Sequence, residues 1–231
     1  MLAVMIPTYN EKENIRPLVD EIFRSTKGKT IVIIVDDSSP DGTGEIADEM
    51  ARKQKGIFVV HRSERGRGSA GIRGFLEALK HGPDYVIEMD ADFSHDPEYI
   101  PAFLREIEGC DIVIGSRMIE EGRTVERGFV RNAITSFAGF VTRLILGMKI
   151  RDIQSGYKCY RREVLESLDF SGFISKGYSI GAETLYRANM KGFSMKEIPI
   201  IFRNRKRGKS KLSVNELFSF FFSVIRIRLG V

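Results

Sequence analysis

The sequence predicts an α/β protein whose sheet is doubly wound, mostly parallel and covered by helices on both faces. Short apolar runs alternate with helical patterns along the first half of the chain, which is the order that builds parallel sheets. One run, 31–35, consists entirely of β-branched residues, as expected of a parallel strand buried on both faces. The 231 residues hold no internal repeat and no convincing linker, so we expect one main domain.

The individual elements follow from local periodicity and from turn residues. Predicted strands cover residues 4–7, 31–35, 57–60, 85–89, 111–115 and 195–202, with a short strand or turn at 157–160. Predicted helices cover residues 11–26, 44–53, 70–81, a segment opened by Pro97, 129–148, 163–168, 178–191 and the end of the chain from Ser213. Residues 118–128 are polar and glycine-punctuated, which predicts a mobile loop over the site.

Composition indicates an ordinary globular protein, and the net charge differs in sign between the two halves of the chain. Residues 1–115 hold 14 basic and 21 acidic residues, a net −7, whereas residues 116–231 hold 22 and 10, a net +12. An acidic half suits a cation, and a basic half suits phosphates or an anionic membrane surface. Cys110 and Cys159 suggest neither a disulfide framework nor a zinc site, which favours a reducing, cytoplasmic compartment. We expect no signal peptide, and no apolar stretch reaches the roughly 18 residues that span a bilayer.

Two aspartates, Asp90 and Asp92, lie between a predicted buried strand and the helix that Pro97 opens. In open α/β sheets, ligands bind beyond the carboxyl ends of the strands. Aspartates two apart on extended backbone point to the same side, so they can share one divalent cation or divide between a cation and a ligand hydroxyl. The spacing alone is a weak signal, because one Asp could cap the helix while the other is solvated.

Two earlier loops, 7–11 and 36–38, also follow predicted strands and should converge with the two aspartates. Their acidic and hydroxyl groups, together with the aromatic ring of Tyr9, would suit the base, ribose and pyrophosphate of a nucleotide. Asp37 considered by itself could instead be a turn-forming residue, which is the less favoured alternative. No GxGxxG follows the first strand and no GxxxxGK[ST] occurs, so neither a dinucleotide site nor a P-loop is indicated.

Seven segments together resemble one family, in order and over essentially the whole chain. They are PTYNE (7–11), VDDSSPDGT (35–43), MDADFSHDP (89–97), IGSR (114–117), RDIQSGYKCYRREVL (151–165), SKGY (175–178) and FRNRKRGKSKL (202–212). The set resembles family 2 glycosyltransferases and, more narrowly, the dolichol-phosphate mannose synthases. Each motif is modestly specific, whereas the ordered set is strongly so.

The resemblance implies a GT-A fold and inverting transfer of mannose from GDP-mannose to a polyprenyl (dolichyl) phosphate, with Mg²⁺ or Mn²⁺ as cofactor. It divides the chain into a GT-A domain at 1–212 and an apolar helix at 213–231. Within that domain, residues 1–117 would form the nucleotide-sugar and metal half, and residues 118–212 the acceptor half.

The resemblance also implies roles for individual residues. The implied donor-binding residues are Pro7, Tyr9, Glu11, Asp37 and Asp90. The implied metal ligands are Asp92, Asp90 and, as a weak auxiliary ligand, Ser94. The implied acceptor-phosphate residues are Arg117, Arg131, Ser155 and Arg205. The implied catalytic residues are Asp90, Asp92, Arg117, Arg131, Arg205 and Lys211. Arg67 and Gly71 depart from the family pattern near the donor loop, which weakens the sugar assignment.

The chemistry of this reaction fits the residues present. Cleaving a nucleotide sugar leaves a charged diphosphate, which a divalent metal with Arg and Lys would stabilise. A phosphate acceptor is already ionised at neutral pH, so no deprotonating base is required. The three histidines accordingly show no triad-like spacing. We expect His95 to be a surface residue, with a loop residue beside the metal as the alternative.

The last part of the chain predicts contact with a membrane surface. Residues 203–211 carry six basic residues in nine, and the helix that follows is apolar nearly all round. That helix could pack on the sheet, lie in a membrane interface or meet a small membrane-anchored partner subunit. We therefore expect a peripheral protein on the cytoplasmic face of a membrane, with core packing of the helix as an equal alternative.

Three functional alternatives remain open. The first is a related transferase that uses another donor, such as UDP-glucose, on the same lipid phosphate. The second is nucleic-acid binding by the basic half, although the basic residues form no recognition-helix or RNP-type motif, so no nucleic-acid partner is expected. The third is a non-catalytic scaffold, against which the presence of Asp90, Asp92, Arg205 and Lys211 argues.

Overall fold

The computed structural model describes residues 1–125, 128–175, 177, 179–203 and 214–230. Its strands are β1 (Leu2–Thr8), β2 (Thr30–Asp36), β3 (Ile57–His61), β4 (Tyr85–Glu88), β5 (Ile112–Ser116), β6 (Arg123–Val125), β7 (Lys158–Arg161), β8 (Met195–Pro199) and β9 (Ile201–Arg203). Its α-helices are α1 (Ile15–Ser25), α2 (Thr43–Lys53), α3 (Arg67–Lys80), α4 (Ile100–Glu106), α5 (Phe129–Leu146), α6 (Arg162–Ser167), α7 (Ile180–Met190) and α8 (Val214–Leu229).

Seven of these strands form one central sheet in the order β3-β2-β1-β4-β7-β5-β8. β1 lies parallel to both β2 and β4, and β5 lies parallel to β8. β7 is antiparallel to its two neighbours, β4 and β5. The predicted doubly wound, mostly parallel sheet is therefore confirmed, with one reversed strand, β7, in the fifth of its seven positions.

Alternate residues of the central strands enter two separate apolar layers. Ile31, Ile33 and Val35 of β2 face the layer that contains α3, α6 and α7 and the buried side of α8. Val32 and Ile34 face the other layer, which contains α1, α2 and α4. Both faces of β2 are thus buried, as its all-β-branched sequence predicts.

Two predicted segments differ from the structure. The segment 118–128, predicted to be a mobile loop, contains β6, which pairs in parallel with β9 in a second, two-stranded sheet. The single strand predicted at 195–202 is divided at Ile200 into β8, which joins the central sheet, and β9, which joins the second sheet. Residues 201–203 thereby leave the central sheet and pair with β6.

Gly74 allows α3 to lie directly on β1 and β2. A Cβ at this position would overlap Met5 Cγ, lie 2.7 Å from Met5 Sδ and lie 3.2 Å from Val35 Cγ2. We expect Gly74→Ala to lower the free energy of unfolding by about 1–3 kcal/mol, since the buried layer has to shift. Gly139→Ala in α5 is the control, because a Cβ added at Gly139 would have no atom within 4 Å. Urea denaturation of both variants tests this, and an unchanged Gly74→Ala protein would contradict the close packing.

Candidate functional site

The loops after β1 and β2 are joined by hydrogen bonds, so they meet at the carboxyl end of the sheet as predicted. The backbone N–H of Glu11 donates to Thr43 Oγ1 at 2.9 Å, and that of Asn10 donates to Ser39 Oγ at 3.0 Å. Ser39 Oγ in turn donates to Asp36 Oδ1 at 2.5 Å. These bonds fix the two loops relative to each other.

Asp37, on the loop after β2, is hydrogen-bonded to the segment that leads into α3. Its Oδ1 accepts from Arg62 Nη1 at 2.6 Å, and its Oδ2 accepts from the Gly66 N–H at 2.9 Å. Arg62 Nη2 also donates to Ser69 Oγ at 2.6 Å. Burial raises the pKa of Asp37, and the Gly66 and Arg62 donors partly offset that rise. The segment from Arg62 to Ser69 is thereby held over the edge of the sheet.

The carboxylate turn (Asp90, Ala91 and Asp92) follows β4 directly. Arg67, at the first position of α3, donates from Nη2 to Asp90 Oδ1 in a half-exposed ion pair. Asp92 Oδ1 accepts from the Ser94 N–H at 3.1 Å, and Ser94 itself is buried. Both predicted carboxylates therefore lie in the loop at the carboxyl end of β4, the central strand of the sheet.

His95 lies beneath the carboxylate turn, and the prediction that it is a surface residue is wrong. Its residue surface is 2% exposed, and its ring is stacked on Tyr157 with centroids 5.0 Å apart. Burial, the largest influence, lowers the pKa of His95. The Asp90 carboxylate lies close to the imidazole, since its Oδ2 is 3.7 Å from His95 Nδ1.

Arg117 follows β5 and is held by Asp152 in a two-pronged ion pair. Its Nε and Nη2 donate to Asp152 Oδ2 and Oδ1, each at 2.7 Å, and its backbone N–H donates to Oδ2 at 2.9 Å. The Glu197 carboxylate accepts from the backbone N–H groups of Arg151 and Asp152, both at 2.9 Å. Burial would lower the pKa of Arg117, but the hydrogen bonds and charge of Asp152 outweigh it and the pKa is raised.

The remaining predicted donor residues lie at the end of β1 and on the loop that follows it. Pro7 is paired in register with Val35, which sets the height of the loop above the sheet. The Tyr9 ring lies under the Arg65 guanidinium, whose Cζ is 4.5 Å from the ring centroid. Glu11 Oε2 accepts from Asn14 Nδ2 at 2.7 Å. Their roles in binding a nucleotide stay predictions.

The predicted acceptor residues are only partly described. Ser155 is buried, and its hydroxyl donates to the Gly115 carbonyl at 2.6 Å, so its role at a phosphate stays a prediction. Arg131 belongs to α5, but its side chain lies outside the part of the chain that is described. Arg205 and Lys211 lie between β9 and α8, outside the described residues.

Comparison with known protein families decides the class of protein. The profile of the family described as "Glycosyl transferase family 2" matches residues 3–169. The chain belongs to glycosyltransferase family 2. The predicted family membership and enzyme class are thereby confirmed.

Three relatives of this glycosyltransferase align over nearly its whole length. It is 40% identical over 224 residues to the polyprenol monophosphomannose synthase of Mycolicibacterium smegmatis, covering 96% of this chain and 84% of that protein. It is 39% identical over 213 residues to the undecaprenyl-phosphate mannosyltransferase of Micrococcus luteus, covering 92% and 87%. It is 37% identical over 231 residues to the dolichol-phosphate mannosyltransferase of Pyrococcus furiosus, covering 98% of this chain and 63% of that protein.

Solved structures support the same fold. Glucosyl-3-phosphoglycerate synthase of Mycobacterium tuberculosis, crystallised with Mn²⁺, UDP-glucose and phosphoglyceric acid, matches with a TM-score of 0.69. The match covers 100% of this chain and 80% of that chain at 21% identity. At this identity the likeness concerns the fold alone, which is the predicted GT-A arrangement.

The carboxylate turn of the glycosyltransferase has the ligand chemistry of a Mg²⁺ or Mn²⁺ site. Asp90 and Asp92 supply carboxylate oxygens, and these hard cations favour oxygen ligands. A site with one or two carboxylates usually completes its octahedron with water and substrate phosphates. Among the described residues, no group of three or more His, Cys, Asp or Glu side chains is arranged to hold a metal. The turn therefore fits a hard divalent cation by its ligand chemistry.

Several residues of this glycosyltransferase site give no clear signal in the sequence. Arg67 stands out there only as a departure from the family pattern, yet its guanidinium pairs with Asp90. Asp152 lies inside the RDIQSG segment, and only the structure shows that it holds Arg117. Gly156 leaves room for two site residues, because a Cβ there would lie 2.6 Å from Arg67 Nη2 and 3.1 Å from His95 Cε1.

Proposed function

We propose that the protein transfers mannose from GDP-mannose to a polyprenyl phosphate such as dolichyl phosphate, with inversion at the anomeric carbon. The observation that supports this most is the carboxylate turn at the carboxyl end of the sheet, whose Asp90 is ion-paired with Arg67. The names of the relatives that align over most of this chain give the proposal its sugar and its acceptor.

In the proposed reaction, an acceptor phosphate oxygen attacks C1 of mannose from the face opposite the diphosphate. The new C–O bond forms as the bond from C1 to the diphosphate oxygen breaks, and GDP leaves with the electron pair. A divalent cation, when bound at Asp92 with Asp90 beside it, supplies positive charge to the leaving diphosphate. No side chain has to remove a proton, since the phosphate is already ionised. Catalysis then consists of positioning and electrostatic stabilisation.

Each of the two substrates, the nucleotide sugar and the acceptor phosphate, has proposed binding residues on the chain. The base and ribose would contact Pro7, Tyr9, Glu11 and Asp37 on the two joined loops. The acceptor phosphate would contact the basic and hydroxyl residues that follow β5, and Lys211 would contact the product phosphate. The proposed acceptor-phosphate residues are Arg117, Arg131, Ser155 and Arg205. The bidentate Arg117–Asp152 pair supports this arrangement, because it fixes the direction of the guanidinium beside the carboxylate turn.

Exposed apolar stripes on α5 and α8 support contact with a membrane surface. Phe137, Phe140 and Leu144 recur at i, i+3 and i+7 on α5 and are all exposed. On α8, the exposed residues Phe222, Ile225 and Leu229 have the same spacing. The two helices pack against each other, while Val224 and Ile227 on α8 are buried in the core. The last helix thus combines the two alternatives that the sequence leaves open, core packing on one side and an exposed apolar face on the other.

We accordingly propose a peripheral protein on the cytoplasmic face of a membrane. Within the described residues, no helix is long and apolar enough to cross a bilayer. Large apolar side chains that stay exposed on neighbouring helices are typical of interfacial attachment. A small membrane-anchored partner subunit is the alternative proposal for what covers the same apolar stripes.

Replacing two residues of the α5 stripe should weaken membrane binding. We expect Phe137→Ser with Leu144→Ser to reduce binding to vesicles of mixed anionic and neutral phospholipid by about tenfold or more, since partial burial of both side chains contributes roughly 1–2 kcal/mol. Met190→Ser on α7, which removes an equally exposed apolar side chain away from the stripes, is the matched control. Vesicle co-sedimentation measures the effect. Equal loss in the control, or none in the double variant, would contradict an interfacial role for α5.

A panel of labelled donors tests the proposed reaction. The protein is incubated with a polyprenyl phosphate, Mn²⁺ and one of several GDP- or UDP-sugars, and the lipid product is analysed. The proposal predicts labelled lipid from GDP-mannose in the anomeric configuration opposite to that of the donor. Product from a UDP-sugar alone would replace GDP-mannose with that sugar nucleotide as the proposed donor. A product that retains the anomeric configuration of the donor would overturn the single-displacement mechanism.

A further inference from the structure

His95 is placed in a fixed orientation by aromatic side chains from distant parts of the chain. Its ring lies 25° from the plane of Tyr157 and meets Phe202 edge-on, with centroids 5.5 Å apart and an angle of 70°. The Tyr157 hydroxyl donates to the Asp96 carbonyl at 2.9 Å, which fixes that ring in turn. The imidazole therefore has little freedom to rotate.

One nitrogen of this ring is directed at the carboxylate turn. Nδ1 of His95 accepts a hydrogen bond from the backbone N–H of Asp90 at 2.9 Å. An imidazole nitrogen accepts only when it carries no proton, so the neutral ring carries its proton on Nε2.

The backbone that this bond closes is strained. Phe93 lies between the two bonded residues with a positive φ of 59°, a conformation that is unusual for a bulky side chain. Such strain persists only where surrounding contacts hold it. The bond from the Asp90 N–H to His95 joins the two ends of the loop 90–95. A second bond within this loop runs from the Ser94 N–H to Asp92 Oδ1.

We propose that His95 is a positioning residue, which accepts the Asp90 N–H on Nδ1 and thereby fixes the backbone from which both carboxylates project. This inference rests on the metal role of the turn in the proposed function. His95 touches neither substrate nor cation in this account. Its effect is to preset the separation of the two carboxylates, so that binding a cation costs little reorganisation.

Two substitutions separate the hydrogen bond from the packing of the ring. His95→Phe keeps an aromatic ring between Tyr157 and Phe202 but loses the acceptor. His95→Asn loses the ring but keeps an acceptor at the position of Nδ1. We expect His95→Phe to weaken Mn²⁺ binding in the presence of GDP by about 10- to 100-fold, as supporting partners of metal ligands typically do. His95→Asn should recover most of the affinity.

Mn²⁺ titration followed by electron paramagnetic resonance measures this binding without any transfer reaction. Wild-type affinity in His95→Phe, or equal weakening in both variants, would overturn the inference. A wild-type protein that binds Mn²⁺ with GDP but transfers no mannose would overturn the proposed function alone, and the variants would still decide on His95.

A measurement on the unaltered protein covers the case in which His95→Phe fails to fold. ¹⁵N-labelled histidine in the wild-type protein should show an unprotonated Nδ1 with the shift of a hydrogen-bond acceptor, and a protonated Nε2, at neutral pH. A proton on Nδ1 would overturn the inference, because the Asp90 N–H would then have no acceptor there.

Discussion

Asp92→Asn should lower mannosyl transfer by about 1000-fold or more, equivalent to roughly 4 kcal/mol of transition-state stabilisation. The substitution removes the charge that would hold the cation at the leaving diphosphate. The amide keeps an oxygen that can accept the Ser94 N–H, now 3.1 Å from Asp92 Oδ1, so the turn should keep its shape. Turnover is measured with saturating GDP-mannose, polyprenyl phosphate and Mn²⁺.

Asp96→Asn is the matched control for this substitution. Asp96 lies in the same loop, but its Oδ1 accepts the Glu98 N–H at 3.0 Å and caps the turn at Pro97. An asparagine serves this capping role equally well, so turnover should stay close to that of the wild type. Full activity of Asp92→Asn would contradict the metal assignment, and equal loss in both variants would attribute the effect to the loop as a whole.

Asp152→Ala should destabilise the protein more than any change to an exposed ion pair. It leaves Arg117, whose side chain is 9% exposed, without the carboxylate that accepts two hydrogen bonds from its guanidinium and one from its backbone N–H. Breaking a buried pair in this way costs about 3–5 kcal/mol of unfolding free energy. Urea denaturation measures that loss, and turnover should fall with it because the guanidinium is released from its fixed direction.

Two further variants test the cause of this loss. Glu166→Ala removes the exposed Arg162–Glu166 pair and should cost less than about 1 kcal/mol. Asp152→Ala combined with Arg117→Met should recover part of the stability, because the uncompensated charge is removed as well. A double variant less stable than Asp152→Ala alone would show that the packing of Arg117, rather than its unpaired charge, dominates.

Sequence patterns predict the parts of this fold that depend on local periodicity. The strands and helices of the first half, and the convergence of the first two loops, follow from apolar runs and from turn residues beside them. The direction of β7 does not follow, because the short run at 158–161 has the same side-chain alternation in either direction. β7 begins beside the end of β5 and runs back along it, which makes the pair antiparallel.

The candidate site is likewise predictable from the sequence only in part. The carboxylate turn is visible in sequence because both aspartates lie directly after a strand. The burial of His95 is not, since Tyr157 and Phe202 cover it from positions far along the chain. The pairing of Arg67 with Asp90 is also a long-range contact, and a lone arginine in a glycine-rich segment gives no hint of it.

The most direct test of the proposed function is the transfer of labelled mannose from GDP-mannose to a polyprenyl phosphate by the wild-type protein, before and after chelation. We expect label to enter the lipid phase only when the polyprenyl phosphate is present, to stop with EDTA, and to resume when Mg²⁺ or Mn²⁺ is restored in excess. Undiminished transfer in EDTA would contradict the metal-assisted mechanism. Absence of lipid label from GDP-mannose under every condition would contradict the proposed mannosyl transfer itself.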